Sequence, residues 1–268
     1  MIVEPAAFDY ERKRWGEAPV LPRPWSLPGL KLRYCLDDLR SVGGPCLDVG
    51  CGAGAIAKAI KRERPDLSVC GVDVSRSAIA RARADPQGVD FRISTATRLP
   101  FADASFDAVT IFDVLEHLEQ PETVLKEIAR VLRPGGLFHI ALPLEGQRGT
   151  IYPFLAWLGW DGKRRHSGHI QAFDRAGFRR MAGSVGLPVQ RVRWSFHPLF
   201  ALIDVLYYCW LDLRGPVGHS VEDMVADRPD QLALRRLKGI IASIGWYESR
   251  LLRWLPGACG HFTCIRSA

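Results

Sequence analysis

Leu47-Asp48-Val49-Gly50-Cys51-Gly52-Ala53-Gly54 is the stretch on which the fold turns. A short apolar run beginning at Pro45 passes straight into glycines. A helical pattern with Ile56, Ala59 and Ile60 on one face opens behind them, over Gly54 to Arg64. An apolar run without polar alternation reads as a strand buried on both faces. Glycine lets the backbone turn sharply and come close to a ligand, and the amides of a helix start favour negative groups there. Strand, glycine turn and helix in this order place a binding turn at the carboxyl end of a strand. The run alone does not choose between a nicotinamide and another nucleotide-like ligand.

Outward from that turn, strand and helix alternate. Ser68 to Val74 reads as a second buried strand, and Ser75 as the N-cap of an Ala-rich helix reaching Ala84. Further strands are expected at Val89 to Ile93, Ser105 to Phe112 and Gly136 to Leu142. A helix from Pro121 to Leu132 is stopped by Arg133-Pro134-Gly135-Gly136. Alternation with short connections means parallel strands, right-handed crossovers and helices on both faces. Asp73 ends the second strand about 20 residues past the glycines, where an acid accepts both hydrogen bonds of a ribose diol. On the other side, residues 1–44 form a Pro-punctuated lead-in followed by a helix from about Gly29 to Arg40.

Beyond Pro143 the pattern changes. An aromatic stretch holding Tyr152, Phe154, Trp157 and Trp160 runs into Lys163-Arg164-Arg165-His166-Ser167-Gly168-His169. The basic run reads mainly as a solvated face, with binding of a phosphate or carboxylate as the other reading. A helix from Asp174 to Val185 and a strand from Val189 to Trp194 follow. Helices over about 196–213, 220–237 and 238–254 then separate that strand from a final one at His261 to Arg266. The implied division is 1–44 lead-in, 45–194 α/β domain, 195–260 helical cap and 261–268 closing strand. Phe200 to Leu213 is apolar nearly all round, interrupted by Asp204. Burial beneath a cap, contact with a lipid surface and a lid over an apolar ligand all fit such a helix.

Composition narrows the class. Of 268 residues, 47% are apolar and 24% charged, as in an ordinary globular chain. Seven cysteines without close-set pairs suit neither a disulfide framework nor a zinc knuckle, so a reducing, cytoplasmic setting and no metal site are expected. Met1 to Trp25 lacks the basic-then-apolar pattern of a leader, and no window reads as a membrane span. The net charge of +7 fits anionic partners or an anionic membrane surface, or simply Arg-rich solvated helices.

Three further stretches exclude a dehydrogenase pattern: Arg98-Leu99-Pro100-Phe101-Ala102-Asp103-Ala104-Ser105-Phe106-Asp107, Phe112-Asp113-Val114-Leu115-Glu116-His117-Leu118 and Val131-Leu132-Arg133-Pro134-Gly135-Gly136. With LDVGCGAG and GVDVS they resemble the class I S-adenosylmethionine (SAM)-dependent methyltransferases, in particular the ubiquinone/menaquinone-biosynthesis-like branch that acts on small molecules. The resemblance covers about residues 45–143 and extends loosely to 194. It implies a doubly wound, Rossmann-like sheet of strand order 3-2-1-4-5-7-6 with the last strand antiparallel, SAM as cofactor and S-adenosylhomocysteine as product. By resemblance, Gly50, Cys51 and Gly52 line the methionine moiety and Asp48 orders the turn and faces the amino group. Asp73 holds the ribose, Val74 packs on the adenine, and Ala96-Thr97-Arg98 border the adenine edge. Thr95 stands where many relatives carry an acid. Phe112 and Asp113 sit beside the sulfonium. His117 near the pocket mouth and His166 and His169 on the following segment are the candidate catalytic groups, and Tyr10, Trp15 and Arg33 are candidates to close over the site. The acceptor is a small or lipid-like molecule methylated on O, N or C, with peripheral membrane contact as one of the open readings. A nucleic-acid methyltransferase is the alternative suggested by the charge, although no Asn-Pro-Pro-Tyr-like tetrad is present. A non-catalytic SAM-binding protein is the other.

Overall fold

The computed structural model describes residues 11, 16–26, 28–214 and 232–268. Seven strands form one sheet in the order β3-β2-β1-β4-β5-β7-β6. They are β1 (Pro45–Val49), β2 (Ser68–Asp73), β3 (Asp90–Ile93), β4 (Phe106–Phe112), β5 (Leu132–Pro143), β6 (Val189–Ser195) and β7 (Cys259–Ile265). Strands β1 to β5 pair in parallel, while β7 runs antiparallel to both β5 and β6. The order and the reversed seventh strand are those the resemblance implies.

Alternation along each strand builds a core on both faces. Leu47, Val49, Val72, Val109, Ile111, Phe138 and Ile140 pack on one side with Leu125 and Ile128 of α4 (Pro121–Val131) and Phe178 of α7 (Arg175–Ser184). Cys46, Val69, Ala108, Leu137 and Ala141 pack on the other. That face is covered by α1 (Gly29–Asp38), α2 (Ala55–Glu63) and α3 (Arg76–Ala84). Ser75 caps α3 by accepting from the Ala78 amide at 3.1 Å, as its residue type suggests.

The fifth strand starts at Leu132, not at Gly136 as expected from the Pro-Gly-Gly sequence. Leu132 pairs with Phe106, and the register then shifts before Ala108 meets Leu137. A bulge thus absorbs the residues that read as a helix stop.

Residues 144–172 hold two short helices that the sequence pattern did not show, α5 (Tyr152–Trp157) and α6 (Gly162–Ser167). Between β6 and β7 lie α8 (Pro198–Arg214) and α9 (Leu232–Leu251). The helix expected over 220–237 lies largely outside the described residues. Helix α9 crosses the expected break at 237/238 without interruption. Its Gly245 is where α8 approaches, since a Cβ there would come within 2.5 Å of the Phe200 ring. Glu248 of α9 caps α8, accepting from the amides of Leu199 at 2.7 Å and Phe200 at 3.0 Å.

A polar stripe on α8 explains why Asp204 interrupts its apolar run. Asp204, Tyr208 and Asp212, four residues apart, face α5 and α6. Asp204 accepts from the Tyr152 hydroxyl at 2.6 Å, Tyr208 meets the Ser167 hydroxyl at 2.6 Å, and Asp212 meets His166 at 2.5 Å. The insertion is therefore bolted to the segment that follows β5.

Candidate functional site

The strand order reverses between β1 and β4, and open α/β sheets bind ligands in the crevice at that point. The glycine turn lies there. Gly50 and Cys51 donate to the Val72 carbonyl at 2.8 and 3.0 Å, which folds the turn back over β2. Gly50 has φ +74°, and a Cβ on it would come within 2.3 Å of Val114. Only glycine fits both restrictions. Asp73 accepts from the Gly52 amide at 2.8 Å and from the Ser75 amide at 2.9 Å. Each oxygen keeps acceptor capacity for a diol. Val74, beside it, leaves 52% of its surface exposed.

Asp48 is buried behind the turn and accepts from the Thr110 hydroxyl at 2.8 Å. Burial dominates and pushes its carboxyl up to about 7, against the Thr110 hydrogen bond and with the nearby Asp73 charge adding to the rise.

The lead-in folds across this edge. The Gly16 carbonyl accepts from the Ala55 amide at the start of α2, at 3.1 Å. Glu11 accepts from the amides of Arg76 at 2.8 Å and Ser77 at 3.1 Å at the start of α3. The Ser77 hydroxyl and these amides hold the Glu11 carboxyl down to about 2.

The loop after β4 leads into a buried polar cluster. Asp113 takes φ +53°, a conformation Asp tolerates better than most residues, and its carboxylate pairs with Lys31 of α1. The carboxylate of Glu116 is fully buried, with no hydrogen-bond partner on either oxygen among the described residues. Burial first, then the Asp113 charge, pushes it well above its usual range. The Glu116 carbonyl accepts from Ile170 and Gln171 at 2.9 and 3.1 Å, which pins the 168–171 segment beside it. The rings of His117 and His169 consequently meet edge to face at 4.9 Å. His117 Nδ1 lies 3.1 Å from the Gly168 carbonyl, and His169 Nδ1 lies 2.5 Å from Glu145. Lys163 of α6 is buried, 3.2 Å from Asp204 and 3.8 Å from Glu145, with the Tyr152 ring 4.6 Å away. Burial works against its charge, but Asp204 and its neighbours hold Lys163 well above its usual range.

A family of methyltransferase domains matches residues 47–140. The malonyl-[acyl-carrier protein] O-methyltransferase of Hahella chejuensis is 30% identical over 246 residues, 90% of this chain and 81% of that protein. The chain belongs to the class I SAM-dependent methyltransferases. It is also similar to members of the ubiquinone/menaquinone-like branch. The ubiquinone/menaquinone biosynthesis C-methyltransferase of Desulfotalea psychrophila is 35% identical over 164 residues, 60% of this chain. The chain spans 63% of that relative's length. Among solved structures, the Haemonchus contortus phosphoethanolamine N-methyltransferase 2 bound to SAM superposes with a TM-score of 0.57 at 19% identity. It covers 89% of this chain and 53% of that one. At that identity the likeness concerns the fold.

As a member of this family, the chain brings several of the expected residues to one edge. Asp48, Gly50, Cys51, Gly52, Asp73 and Val74 surround the β1 and β2 ends. Ala96 and Thr97 lie on the turn after β3, with Thr97 reaching back to the Thr95 hydroxyl at 3.4 Å. The Phe112 ring is buried in the core, 5.6 Å from His139, while its neighbour Asp113 faces Lys31. His117 and His169 come together, whereas His166 is turned to Asp212 on α8. Arg33 pairs along α1 with Asp37 at 3.5 Å, and Lys31 takes the inward place instead. Tyr10 and Trp15 lie outside the described residues. Lys31, Glu145, Glu11 and Gly16 escaped sequence reading because each meets a partner far away in the chain.

Proposed function

We propose that this chain transfers a methyl group from SAM to O, N or C of a small or lipid-like acceptor. The single observation behind this reading is the juxtaposition of the glycine turn and Asp73 with the cluster of buried Glu116 and half-buried His117 and His169. Bound SAM supplies an electrophilic methyl on a sulfonium. Asp73 holds the ribose hydroxyls, the Gly50–Gly52 backbone cradles the methionine moiety, and Val74 covers the adenine. Ala96 and Thr97 border the adenine edge. Glu116, His117 and His169 border the acceptor end of the crevice. In-line displacement needs mainly a nucleophile held close and aligned, and ordered loops at this edge provide that. The reading is tested by S-adenosylhomocysteine release when SAM is offered with a total lipid extract or an aqueous metabolite extract. Release with either supports it; a folded protein that releases none with both overturns it.

Asp48 gives the reading a pH signature. Its folded pKa is raised to about 7. Its stabilising effect is therefore fully present below the ordinary carboxylate pKa of about 4 and lost as pH rises through 7. An ammonium beside it favours the ionised form. Affinity for S-adenosylhomocysteine should then rise about tenfold from pH 6 to pH 8. Calorimetry across that range checks this, with Asp48→Asn expected to flatten the profile. A flat wild-type profile removes Asp48 from the amino-group site.

The acceptor side favours a lipid surface. On α8, Leu199, Leu202, Leu206, Trp210 and Leu213 recur on one outward stripe and are all exposed, Leu213 at 87%. Helix α9 exposes Leu237, Ile240, Tyr247 and Leu251 in the same manner. Arg236 and Arg250 are exposed beside them. Apolar stripes flanked by arginine suit an anionic bilayer interface. No helix among the described residues is long and apolar enough to cross a membrane. The exposed stripes and their arginines are what support reading the chain as membrane-peripheral. Co-sedimentation should be stronger with vesicles containing phosphatidylglycerol than with phosphatidylcholine alone. Leu202→Ser/Leu206→Ser/Trp210→Ser should reduce it at least about a hundredfold, at about 1.5–3 kcal/mol for each buried side chain. Absence of vesicle binding by wild type would remove the membrane from the account.

A further inference from the structure

We propose that Glu116, His117 and His169 form a binding site for a divalent first-row transition-metal ion at the acceptor end of the crevice. One carboxylate oxygen and one ring nitrogen from each histidine lie within 4.8 Å of one another. The Nε2 atoms of His117 and His169 are each 3.9 Å from the same oxygen, Glu116 Oε1. A tetrahedral ion with bonds of about 2.1 Å separates its donors by about 3.4 Å, so small side-chain adjustments close the set.

Three independent features point to an ion. The carboxylate of Glu116 is wholly buried, and neither oxygen has a hydrogen-bond partner among the described residues. A buried carboxylate left without partners is strongly disfavoured, whereas coordination satisfies it. The histidines, in turn, are oriented as metal ligands usually are. Each engages a carbonyl or carboxylate through Nδ1, Gly168 O for His117 and Glu145 for His169, and turns Nε2 toward Glu116. The third feature is charge. Among the described residues, the carboxylates of Asp113, Glu116, Glu145 and Asp204 gather with two ammoniums, Lys31 and Lys163. Coordination ionises Glu116, and a dication then balances the charge of that set. Two imidazoles and one carboxylate suit zinc, iron(II), manganese or cobalt better than magnesium or calcium.

Three protein donors leave at least one coordination position open. With an ion in place, the two imidazoles are ligands and not bases, and the open position takes an oxygen of the acceptor. The site does not depend on the methyl-transfer reading, since S-adenosylhomocysteine binding at the glycine turn is measured separately.

The experiment uses the full-length, tag-free protein stripped with chelator, titrated with Zn2+ by calorimetry and with Co2+ by visible absorption. One ion per chain is expected, with the intense cobalt bands of a four- or five-coordinate nitrogen-containing site. Glu145→Gln should weaken binding about 10–100-fold, and Glu116→Gln and His169→Gln at least as much. His166→Gln, outside the set, should bind as wild type. Folding is followed by circular dichroism and by S-adenosylhomocysteine binding; if a ligand variant fails to fold, the wild-type cobalt spectrum decides. Substoichiometric binding, a weak octahedral cobalt spectrum, or unchanged affinity in folded Glu116→Gln and His169→Gln would overturn the proposal.

Discussion

Asp73→Ala should lose S-adenosylhomocysteine binding by at least about a hundredfold in calorimetry. Hydrogen bonds to a charged group contribute about 1.5–3 kcal/mol each, and a ribose diol makes two of them. Two such bonds amount to two or more factors of ten in affinity. The variant also frees the Gly52 and Ser75 amides that Asp73 now holds at 2.8 and 2.9 Å, so the turn loses part of its preorganisation. Asp85→Ala, an exposed acid at the end of α3, is the matched control and should bind as wild type. Retained affinity in Asp73→Ala would place the ribose elsewhere.

Asp38→Ala should destabilise the fold by about 3–5 kcal/mol in urea unfolding, because it leaves the buried His139 and Thr263 donors and the largely buried Arg193 without their acceptor, while Arg191 is 53% exposed and contributes little. Asp38 ends α1 and is fully enclosed beneath the sheet. One oxygen takes His139 Nδ1 and the Thr263 hydroxyl, each at 2.7 Å. The other takes both Arg191 and Arg193. Four residues from β5, β6 and β7 thus converge on one carboxylate of the lead-in helix. Burial alone would raise the Asp38 carboxyl. The hydrogen bond from His139 and the Arg193 charge, with Thr263, outweigh burial and hold it well below the carboxylate range. Burial keeps His139 below its own usual range, so at neutral pH it is a neutral donor and the arginines carry the positive charge. A depressed carboxyl stabilises above the unfolded pKa of about 4 and ceases to do so as pH falls through the folded value. The gap between wild type and Asp38→Ala should therefore narrow below about pH 4. An unchanged gap at acid pH would mean that Ala acts by leaving a hole rather than by removing charge.

Local signals carried most of the sheet. Buried runs such as Cys46 to Val49 and Val69 to Val72 announce strands without reference to the rest of the chain, and Gly50 announces the turn. What stayed hidden depends on distance. Lys31 meets Asp113 across 82 residues, and Arg193 meets Asp38 across 155, so no periodicity marks either pair. Lys163 shows the same limit within one basic run. Placement on α6 turns Lys163 inward and leaves Arg164 and Arg165 outside, although the three residue types look alike in sequence. Asp204 looked like a flaw in an apolar helix and is instead the counter-charge for Lys163. The start of β5 was misplaced because Pro134 and Gly135 read as a stop, whereas a bulge carries the strand through them.

The most direct test of the central claim is transfer of the methyl group itself. SAM carrying a trideuterated methyl is incubated with the protein and with lipid and aqueous extracts, and products are read by mass spectrometry. The account predicts an acceptor that gains the intact labelled methyl in step with S-adenosylhomocysteine, and no such product with Asp73→Ala. A protein that binds S-adenosylhomocysteine stoichiometrically yet labels nothing in either extract would contradict it and leave a cofactor-binding fold without transfer.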